Sequence, residues 1–430
     1  MSSGIISSFE LDHFISELEL TNIEDIGTRK WFRNRENFLK LYQVAVLEAK
    51  SNREERVKNS FLKNNKLTIL LFEIISLSVW KEKILPELIK LSPEPNHTFP
   101  TYFVIYNEVV LLGILQTILY HGSAFENLNE RTVDLVDYAV AQIIKLDSNL
   151  QTDINDNSKI SLKPYEEIKR QTDNINFTIG TDCISILRYV TENLDKLPLV
   201  VSARLYNNHD VPVVIAHLIE NNVWLRKLEN GKLYKYSEHV WSEWSPKDPA
   251  LSHTECQSWL LLRQLLVNPN CASMYQFTSH RKDQLSKLIR YLHEDVLDQL
   301  SPLVDLKIWL QQMSMTAPQT HVVTKTPLIM EITKSYRDVL CEERDNSWKE
   351  IARTRAELLF YANTNDIQLI AKGLINDIDN MKQVSEKIQI CAHCFSRAEK
   401  RCSKCKSVWY CSRQCQVKHW NFHKDTCCVN

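Results

Sequence analysis

The stretch CAHCFSRAEKRCSKCKSVWYCSRQCQVKHWNFHKDTC, residues 391–427, decides the fold of the C-terminal end of this chain. Its spacing is C-x2-C-x7-C-x2-C-x5-C-x3-C-x7-H-x3-C, and its ligand candidates are Cys391, Cys394, Cys402, Cys405, Cys411, Cys415, His423 and Cys427. A Cys-x2-Cys pair turns back on itself, so both sulfurs can reach one metal ion, and two ligands four residues apart share one helix face. Eight soft ligands divide into two tetrahedral zinc sites without an open catalytic position, which favours a structural role.

Disulfide bonds are the alternative explanation of these cysteines. A secreted disulfide protein normally carries an export signal and spreads its cysteines evenly. The first residues of this chain lack a basic region before an apolar stretch, and eight of its 12 cysteines lie within residues 391–428. We therefore predict zinc binding at the C-terminal end. The other cysteines are scattered singly, and we expect them to be buried, inert thiols: Cys183, Cys256, Cys271 and Cys341.

The segment resembles a MYND-type zinc finger. All eight ligand positions match that family, and so do the pairs Tyr410-Cys411 and Cys415-Gln416 and the tryptophan Trp420 before the final His-x3-Cys. The resemblance covers under a tenth of the chain. It implies two interleaved zinc sites, one made of Cys391, Cys394, Cys411 and Cys415 and the other of Cys402, Cys405, His423 and Cys427.

The spacing alone leaves the pairing of ligands open, because a sequential arrangement also fits. In a continuous helix Cys415 and His423 would lie about 80° apart around the axis, which favours assigning the two late pairs to different ions. His419 and Cys428 are spare candidates that we assign to neither ion.

The same resemblance implies that the finger binds short proline-containing peptides in a shallow groove. The walls of that groove would be Ser403, Gln416 and Trp420. Trp420 also fits the alternative of an ordinary core residue in a small domain.

The charge of the finger does not indicate a nucleic-acid partner. The finger contains eight basic and two acidic residues, which give a formal charge of +6. Seven thiolates and two zinc ions would reduce this charge to about +3. The whole chain has 52 basic and 53 acidic residues and a formal charge of −1. We therefore expect protein partners, no nucleic acid and no membrane span, since the apolar run at 109–120 is short and interrupted.

Only seven glycines occur in 430 residues, so loops that hold phosphate or dinucleotide are not expected. We assign no catalytic residue. Some proteins with this finger are SET-type lysine methyltransferases, but in those enzymes an Asn-His motif follows the finger. Here Asn96-His97 precedes it by almost three hundred residues, so the methyltransferase is the weakest alternative.

Apolar residues at intervals of three and four predict a helical body. The stripe formed by Leu285, Leu288, Ile289, Leu292, Val296 and Leu300 predicts one helix over 285–300. Further helices are predicted at 67–80, 101–120, 131–146, 182–196, 211–223, 257–267 and 347–361.

Two of these segments align with each other without gaps. LTILLFEIISLSVW (Leu67–Trp80) and VPVVIAHLIENNVW (Val211–Trp224) share their apolar positions and the final tryptophan, as in armadillo or HEAT repeats. Two unrelated amphipathic helices are the alternative. We predict a mainly α, armadillo/HEAT-like helical array over residues 1–380, a linker at 381–390 and the finger at 391–427.

A small β-hairpin is predicted to interrupt the helices. In LRKLENGKLYKYS, residues 225–237, the pair Asn230-Gly231 lies between two short apolar runs and predicts a type I′ turn with Leu228 facing Leu233. Because an isolated hairpin is marginally stable, we expect it to pack onto the helices.

The order of these features resembles the MYND-domain proteins that act as axonemal dynein assembly factors. That resemblance implies a non-enzymatic cytoplasmic adaptor that helps preassemble dynein arms for motile cilia. Its implied partners are heat-shock chaperones, their co-chaperones, a leucine-rich-repeat assembly factor and axonemal dynein heavy or intermediate chains. Its implied locations are the cytoplasm, centriolar satellites, the basal body or the apical cytoplasm of ciliated cells. The alternative is a nuclear corepressor-type MYND adaptor, which the basic run Lys400–Lys406 would support.

Overall fold

The computed structural model describes residues 6–50, 54–92, 94–148, 163–228, 231–246, 249–268, 274–316, 334–344, 347–368, 370–371, 398, 400–406, 408–424 and 427. The predicted linker at 381–390 lies outside these ranges, as do the predicted zinc ligands Cys391 and Cys394 and the scattered Cys271.

Helices dominate the described part of the chain, so the predicted mainly α fold is confirmed. The α-helices are α1 (Ser8–Ser16), α2 (Arg29–Lys50), α3 (Arg56–Lys63), α4 (Leu67–Leu91), α5 (Phe99–Leu119), α6 (Phe125–Leu128), α7 (Thr132–Ser148), α8 (Pro164–Glu192), α9 (Leu199–Ala203), α10 (Val211–Asn221), α11 (His253–Val267), α12 (Ser279–Ser286), α13 (Glu294–Gln299), α14 (Leu303–Met315), α15 (Tyr336–Arg344), α16 (Trp348–Phe360) and α17 (Arg413–His423). Two short antiparallel sheets accompany them: β1 (Leu225–Lys227), β2 (Leu233–Ser237) and β3 (Val240–Trp244), and β4 (Lys400–Arg401) with β5 (Trp409–Tyr410).

Most predicted helices lie where their apolar spacing placed them, and α8 shows why one of them was predicted too short. The predicted segment 182–196 covers only the end of α8, which begins at Pro164. Its first turns are polar, and they are held by Pro164 at the first helical position and by Glu166, whose carboxylate accepts a hydrogen bond from the N–H of Lys163 at 3.1 Å. The apolar pattern therefore starts well inside the helix.

The single helix predicted over 285–300 is wrong. α12 ends at Ser286, a 3-10 turn occupies Lys287–Tyr291, and α13 begins at Glu294. The apolar stripe still faces the core, because a 3-10 turn also returns every third residue to one face. Its buried members are Leu285, Leu288, Leu292 and Val296.

One continuous cluster of buried apolar side chains extends through the body, with α8 packed against α5, α7 and α11. By length and composition alone, α5 could cross a membrane, but 78% of its most apolar window is buried inside the protein. Its neighbours are α2, α4 and α8. The apolar composition of α5 is therefore accounted for by its packing.

Two glycines allow these helices to approach closely. A Cβ on Gly180 of α8 would lie 2.6 Å from Cδ2 of Leu146 and 3.1 Å from the backbone oxygen of Gln142, both on α7. A Cβ on Gly113 of α5 would lie 2.3 Å from Cε2 of Tyr42 on α2. Both crossings therefore depend on a residue without a side chain.

The last described helices of the body fold back onto the first ones. The ring of Tyr336, at the start of α15, stacks on Phe72 of α4 with centroids 4.0 Å apart, and its N–H donates to Asp134 of α7 at 2.8 Å. The guanidinium of Arg29 on α2 donates two hydrogen bonds to Asp366, at 2.8 and 2.9 Å. α15 and α16 thereby cover α4, which lies more than two hundred residues earlier in the chain.

The predicted hairpin exists, but its register is one residue away from the prediction. Leu228 pairs with Lys232 and not with Leu233: its N–H donates to the Lys232 carbonyl at 3.0 Å, and its carbonyl accepts from the Gly231 N–H at 2.9 Å. The loop therefore spans three residues, and Gly231 has φ +80°. A three-residue hairpin loop commonly ends in a left-handed residue, and glycine suits that position.

The third strand, β3, was not predicted, and it helps to attach the sheet to α8. The ring of Tyr236 on β2 packs edge-on against Phe177 of α8 with centroids 4.7 Å apart, and Trp241 of β3 lies 5.1 Å from the same phenylalanine. The sheet thus packs on the helices through aromatic side chains.

The two aligned segments begin α4 and α10 at equivalent positions. Their closing tryptophans, Trp80 and Trp224, are both buried. The second segment leaves its helix at Asn222, which adopts the left-handed conformation, whereas α4 continues to Leu91. The armadillo- or HEAT-like arrangement, and the division of the chain at 380 and 391, remain predictions.

A buried ion pair joins three helices of the core. Nζ of Lys81 on α4 lies 2.6 Å from Oε2 of Glu108 on α5, and the two side chains are 4% and 0% exposed. The other carboxylate oxygen accepts a hydrogen bond from the Tyr138 hydroxyl of α7 at 2.8 Å. Burial and the neighbouring carboxylate raise the pKa of Tyr138 well above its ordinary value, so its hydroxyl remains a donor.

We expect the substitution Lys81→Met to lower the free energy of unfolding by about 3–5 kcal/mol, because it leaves the Glu108 carboxylate buried without its cation. The double variant K81M/E108Q should be more stable than K81M, since the amide carries no charge and still accepts from Tyr138. Urea denaturation of the full chain measures both.

The matched control is K90M, which removes the exposed partner of Glu87 on the same helix and should leave the denaturation midpoint unchanged. A K81M protein with the wild-type midpoint would contradict the structural role of the buried pair.

Candidate metal centre

The β4–β5 hairpin forms the turn that carries the first two cysteines of the described finger. The N–H of Cys402 donates to the carbonyl of Val408 at 2.8 Å, and the Cys402 carbonyl accepts from the N–H of Lys406 at 3.0 Å. Lys406 has φ +54°, which lets the chain reverse immediately after Cys405. The turn therefore brings the sulfurs of Cys402 and Cys405 together, as the C-x2-C spacing requires.

Four buried side chains gather their ligand atoms into one small volume. The sulfurs of Cys402, Cys405 and Cys427 and a ring nitrogen of His423 all lie within 4.8 Å of one another. Sγ of Cys402 is 3.8 Å from Sγ of Cys427, and Sγ of Cys405 is 3.4 Å from Nε2 of His423. A zinc tetrahedron has edges of about 3.8 Å between sulfurs and about 3.5 Å between sulfur and nitrogen, from Zn–S and Zn–N bonds of about 2.3 and 2.0–2.1 Å. The cluster fits a zinc ion.

This cluster is the second set of the interleaved arrangement. Of the first set, Cys411 and Cys415 are half-buried and their sulfurs lie 3.4 Å apart. Their predicted partners Cys391 and Cys394 lie outside the described residues. Because α17 runs without a break from Arg413 to His423, it presents Cys415 and His423 at different angles, and each meets a different cysteine.

The ligands of the cluster influence each other's protonation. The backbone N–H of Cys405 lowers the pKa of the Cys402 thiol, whereas burial and the neighbouring thiols raise the pKa of Cys427 to about 11. Crowded sulfurs therefore resist losing a second proton unless a cation compensates their charge. Metal binding at such a site releases protons and stabilises the fold at the same time.

The side chains around the cluster support it without joining it. The ring nitrogen Nδ1 of His419 lies 3.1 Å from the hydroxyl of the fully buried Tyr410, so this spare candidate has a partner outside the metal site. Ser412 caps α17 by accepting from the N–H of Cys415 at 3.2 Å. The other spare candidate, Cys428, lies outside the described residues.

The three predicted groove residues lie on the turn and the helix that carry the ligands. Ser403 is exposed in the turn between two ligands, Gln416 is half-buried on α17, and Trp420 is 38% exposed. The Trp420 ring lies 5.8 Å from the His423 ring, so it packs on a ligand with one side and meets solvent with the other.

The scattered cysteines only partly match their prediction. Cys183 is fully buried, and burial raises the pKa of its thiol well above the ordinary value. Cys256 and Cys341 are half-buried, so the expected full burial is wrong for these two.

We expect the purified chain to contain two zinc ions, and Cys405→Ser to lose the ion held with His423. Structural zinc contributes about 10–16 kcal/mol of apparent stability in small finger peptides, so the finger of this variant should also become sensitive to protease. Elemental analysis of zinc per chain and limited proteolysis measure the two effects.

Cys341→Ser, which lies in the helical body, is the matched control and should retain both ions. Unchanged zinc content in the Cys405→Ser protein would contradict the assignment of this cluster.

Comparisons with known proteins identify the finger separately from the body. The family model described as the MYND finger matches residues 391–427. Ubiquitin carboxyl-terminal hydrolase 15 of Arabidopsis thaliana is 52% identical over 44 residues, 10% of this chain and 5% of that protein. N-lysine methyltransferase SMYD2-B of Danio rerio is 44% identical over 46 residues, 10% of this chain and 11% of that protein. These two likenesses concern a segment of finger size, and no solved structure matches the chain.

One relative extends over almost the whole length. The zinc finger MYND domain-containing protein 10 homolog of Drosophila melanogaster is 31% identical over 445 aligned residues, which cover 97% of this chain and 98% of that protein. The likeness therefore includes the helical body as well as the finger. The chain belongs to the family of the zinc finger MYND domain-containing protein 10 homolog.

Proposed function

We propose that this protein is a non-enzymatic adaptor whose zinc-bound finger binds partner proteins and whose helical body presents further contact surfaces. The observation that carries this proposal is the inward-facing cluster at Cys402, Cys405, His423 and Cys427. Four protein ligands complete a tetrahedral zinc site, so the ion has no position left for a substrate or an activated water.

Two zinc ions per chain are part of the proposal. The first ion would bind Cys391, Cys394, Cys411 and Cys415, and the second the cluster described above. What supports the first site is the 3.4 Å separation of the Cys411 and Cys415 sulfurs, which suits two ligands of one ion.

The groove is proposed at Ser403, Gln416 and Trp420. Gln416 and Trp420 are four residues apart on α17 and project from neighbouring positions of one face. Trp420 is 38% exposed and is suited to anchor a partner, since binding hot spots are enriched in tryptophan.

The cellular role that we propose is the preassembly of axonemal dynein arms in the cytoplasm, together with chaperones and a leucine-rich-repeat assembly factor. What supports it is the family resemblance of the full chain, and a helical body that offers long surfaces for several partners at once. A nuclear corepressor role is the competing proposal, and the basic residues near the β4–β5 hairpin favour it.

We expect affinity capture of the tagged full chain from ciliated tissue to recover dynein arm subunits and chaperones. Trp420→Ala should weaken recovery of the partner that binds the finger by about thirty-fold or more, since truncating a central aromatic residue costs about 2 kcal/mol or more at interfaces. The variant should retain its zinc.

Tyr361→Ala, which removes an aromatic side chain of similar exposure from the body, serves as the control and should leave recovery of the partner that binds the finger unchanged. Recovery of chromatin factors in place of dynein subunits would favour the corepressor. A zinc-loaded Trp420→Ala protein that binds every partner normally would rule out the groove.

A further inference from the structure

α17 carries a stripe of side chains that the metal cluster does not use. Arg413, Val417, Trp420 and Lys424 follow one another at intervals of four, three and four, so their positions fall within about 60° around the helix axis. All four are exposed, and Val417 is 65% exposed. Around the same helix, Cys415 lies about 170° from the centre of the stripe, and the ligand His423 lies about 90° from it, beside Trp420.

The stripe is apolar in its middle and cationic at both ends. Val417 and Trp420 are adjacent on the helix surface, and Arg413 and Lys424 lie one turn beyond them in each direction. A valine that is 65% exposed is little covered by the described residues of the finger. A partner that covers the stripe would meet an apolar patch between two positive charges.

Among the described residues of the finger, the charged side chains around the stripe have one sign of charge. Within the described residues of the finger, every lysine and arginine is exposed and none of the side chains is acidic; the cations are Lys400, Arg401, Lys404, Lys406, Arg413, Lys418 and Lys424. Three of the seven thiolates that would offset them are buried, at Cys402, Cys405 and Cys427. The outer surface therefore presents a positive potential although the net charge of the finger is modest.

We infer that this stripe binds an acidic protein segment that places apolar side chains between its carboxylates. The inference rests on the proposed protein-binding function of the finger and specifies the chemistry of the partner. Contacts with Val417 and Trp420 supply most of the affinity. Exposed ion pairs with Arg413 and Lys424 contribute little energy each, but they determine the specificity for an acidic partner. A nucleic acid fits less well, because a phosphate backbone makes no favourable apolar contact with an exposed valine at the centre of the site.

The experiment is a selection from a random peptide library displayed on phage, with the zinc-loaded full chain as bait. The peptides recovered should be enriched in aspartate and glutamate next to apolar residues. Their binding should weaken at high salt, because ionic screening shortens the reach of exposed charges to about 3 Å at 1 M.

The charge-reversal variant R413E/K424E tests the stripe directly. It should bind the recovered acidic peptides about tenfold or more weakly, because two attractive contacts become repulsive. K30E/R33E, which reverses two exposed cations on α2 of the body, is the matched control and should bind them as the wild type does. Zinc content, measured on each variant, shows that the finger remains folded.

Three results would overturn the inference. If the wild type recovers peptides that W420A does not, but these peptides have no excess of acidic residues, the acidic preference is wrong and peptide binding by the finger stands. If the wild type recovers no more peptide than the Cys405→Ser protein, the proposed protein-binding function fails as well. If single-stranded or duplex oligonucleotides displace the selected peptides and bind more tightly, the surface recognises nucleic acid.

Discussion

The C-terminal end of this protein depends on one constraint, which is that three sulfurs and one imidazole nitrogen must meet in a single small volume. A segment of about forty residues buries too little apolar surface to fold on that basis alone. In the described part of the finger, the buried positions are occupied mainly by ligands and by Tyr410, so a bound ion would take the place of a hydrophobic core. Because the ligands turn inward, the cations and Trp420 are directed outward. The metal ligands and the proposed binding stripe thus share one helix, with Cys415 opposite the stripe and His423 beside Trp420.

The body satisfies a different constraint, since its helices enclose charged groups as well as apolar ones. Lys81 with Glu108 is one such pair, and Arg35 with Glu73 is another, at 2.5 Å with both side chains 2% exposed. A buried ion pair adds little net stability, but a misplaced helix would leave a bare charge in the core. These contacts therefore penalise alternative packings of α2, α4 and α5 more than they strengthen the native one.

The sequence predicted local chemistry better than it predicted the ends and pairings of elements. Ligand spacing is a local property, and the turn at Cys402 and Cys405 follows from it directly. The stripe at 285–300 identified the buried side chains correctly but could not distinguish an unbroken helix from a 3-10 turn, because both return apolar residues at intervals of three. The predicted register of the hairpin was wrong by one residue, because Gly231 is compatible with loops of two or three residues. Contacts between distant segments, such as Tyr336 on Phe72, leave no periodic trace in the sequence.

The return of α15 and α16 onto α4 has a consequence for the synthesis of the protein. α4 leaves the ribosome long before the helices that cover it. More than three hundred residues are synthesised between Arg29 and its partner Asp366. At about 5–20 residues per second, that interval lasts on the order of tens of seconds. Throughout it an apolar face of α4 stays uncovered, and closing so long a loop makes the final docking step slow. A protein with this topology has its own need for protection while it is being made.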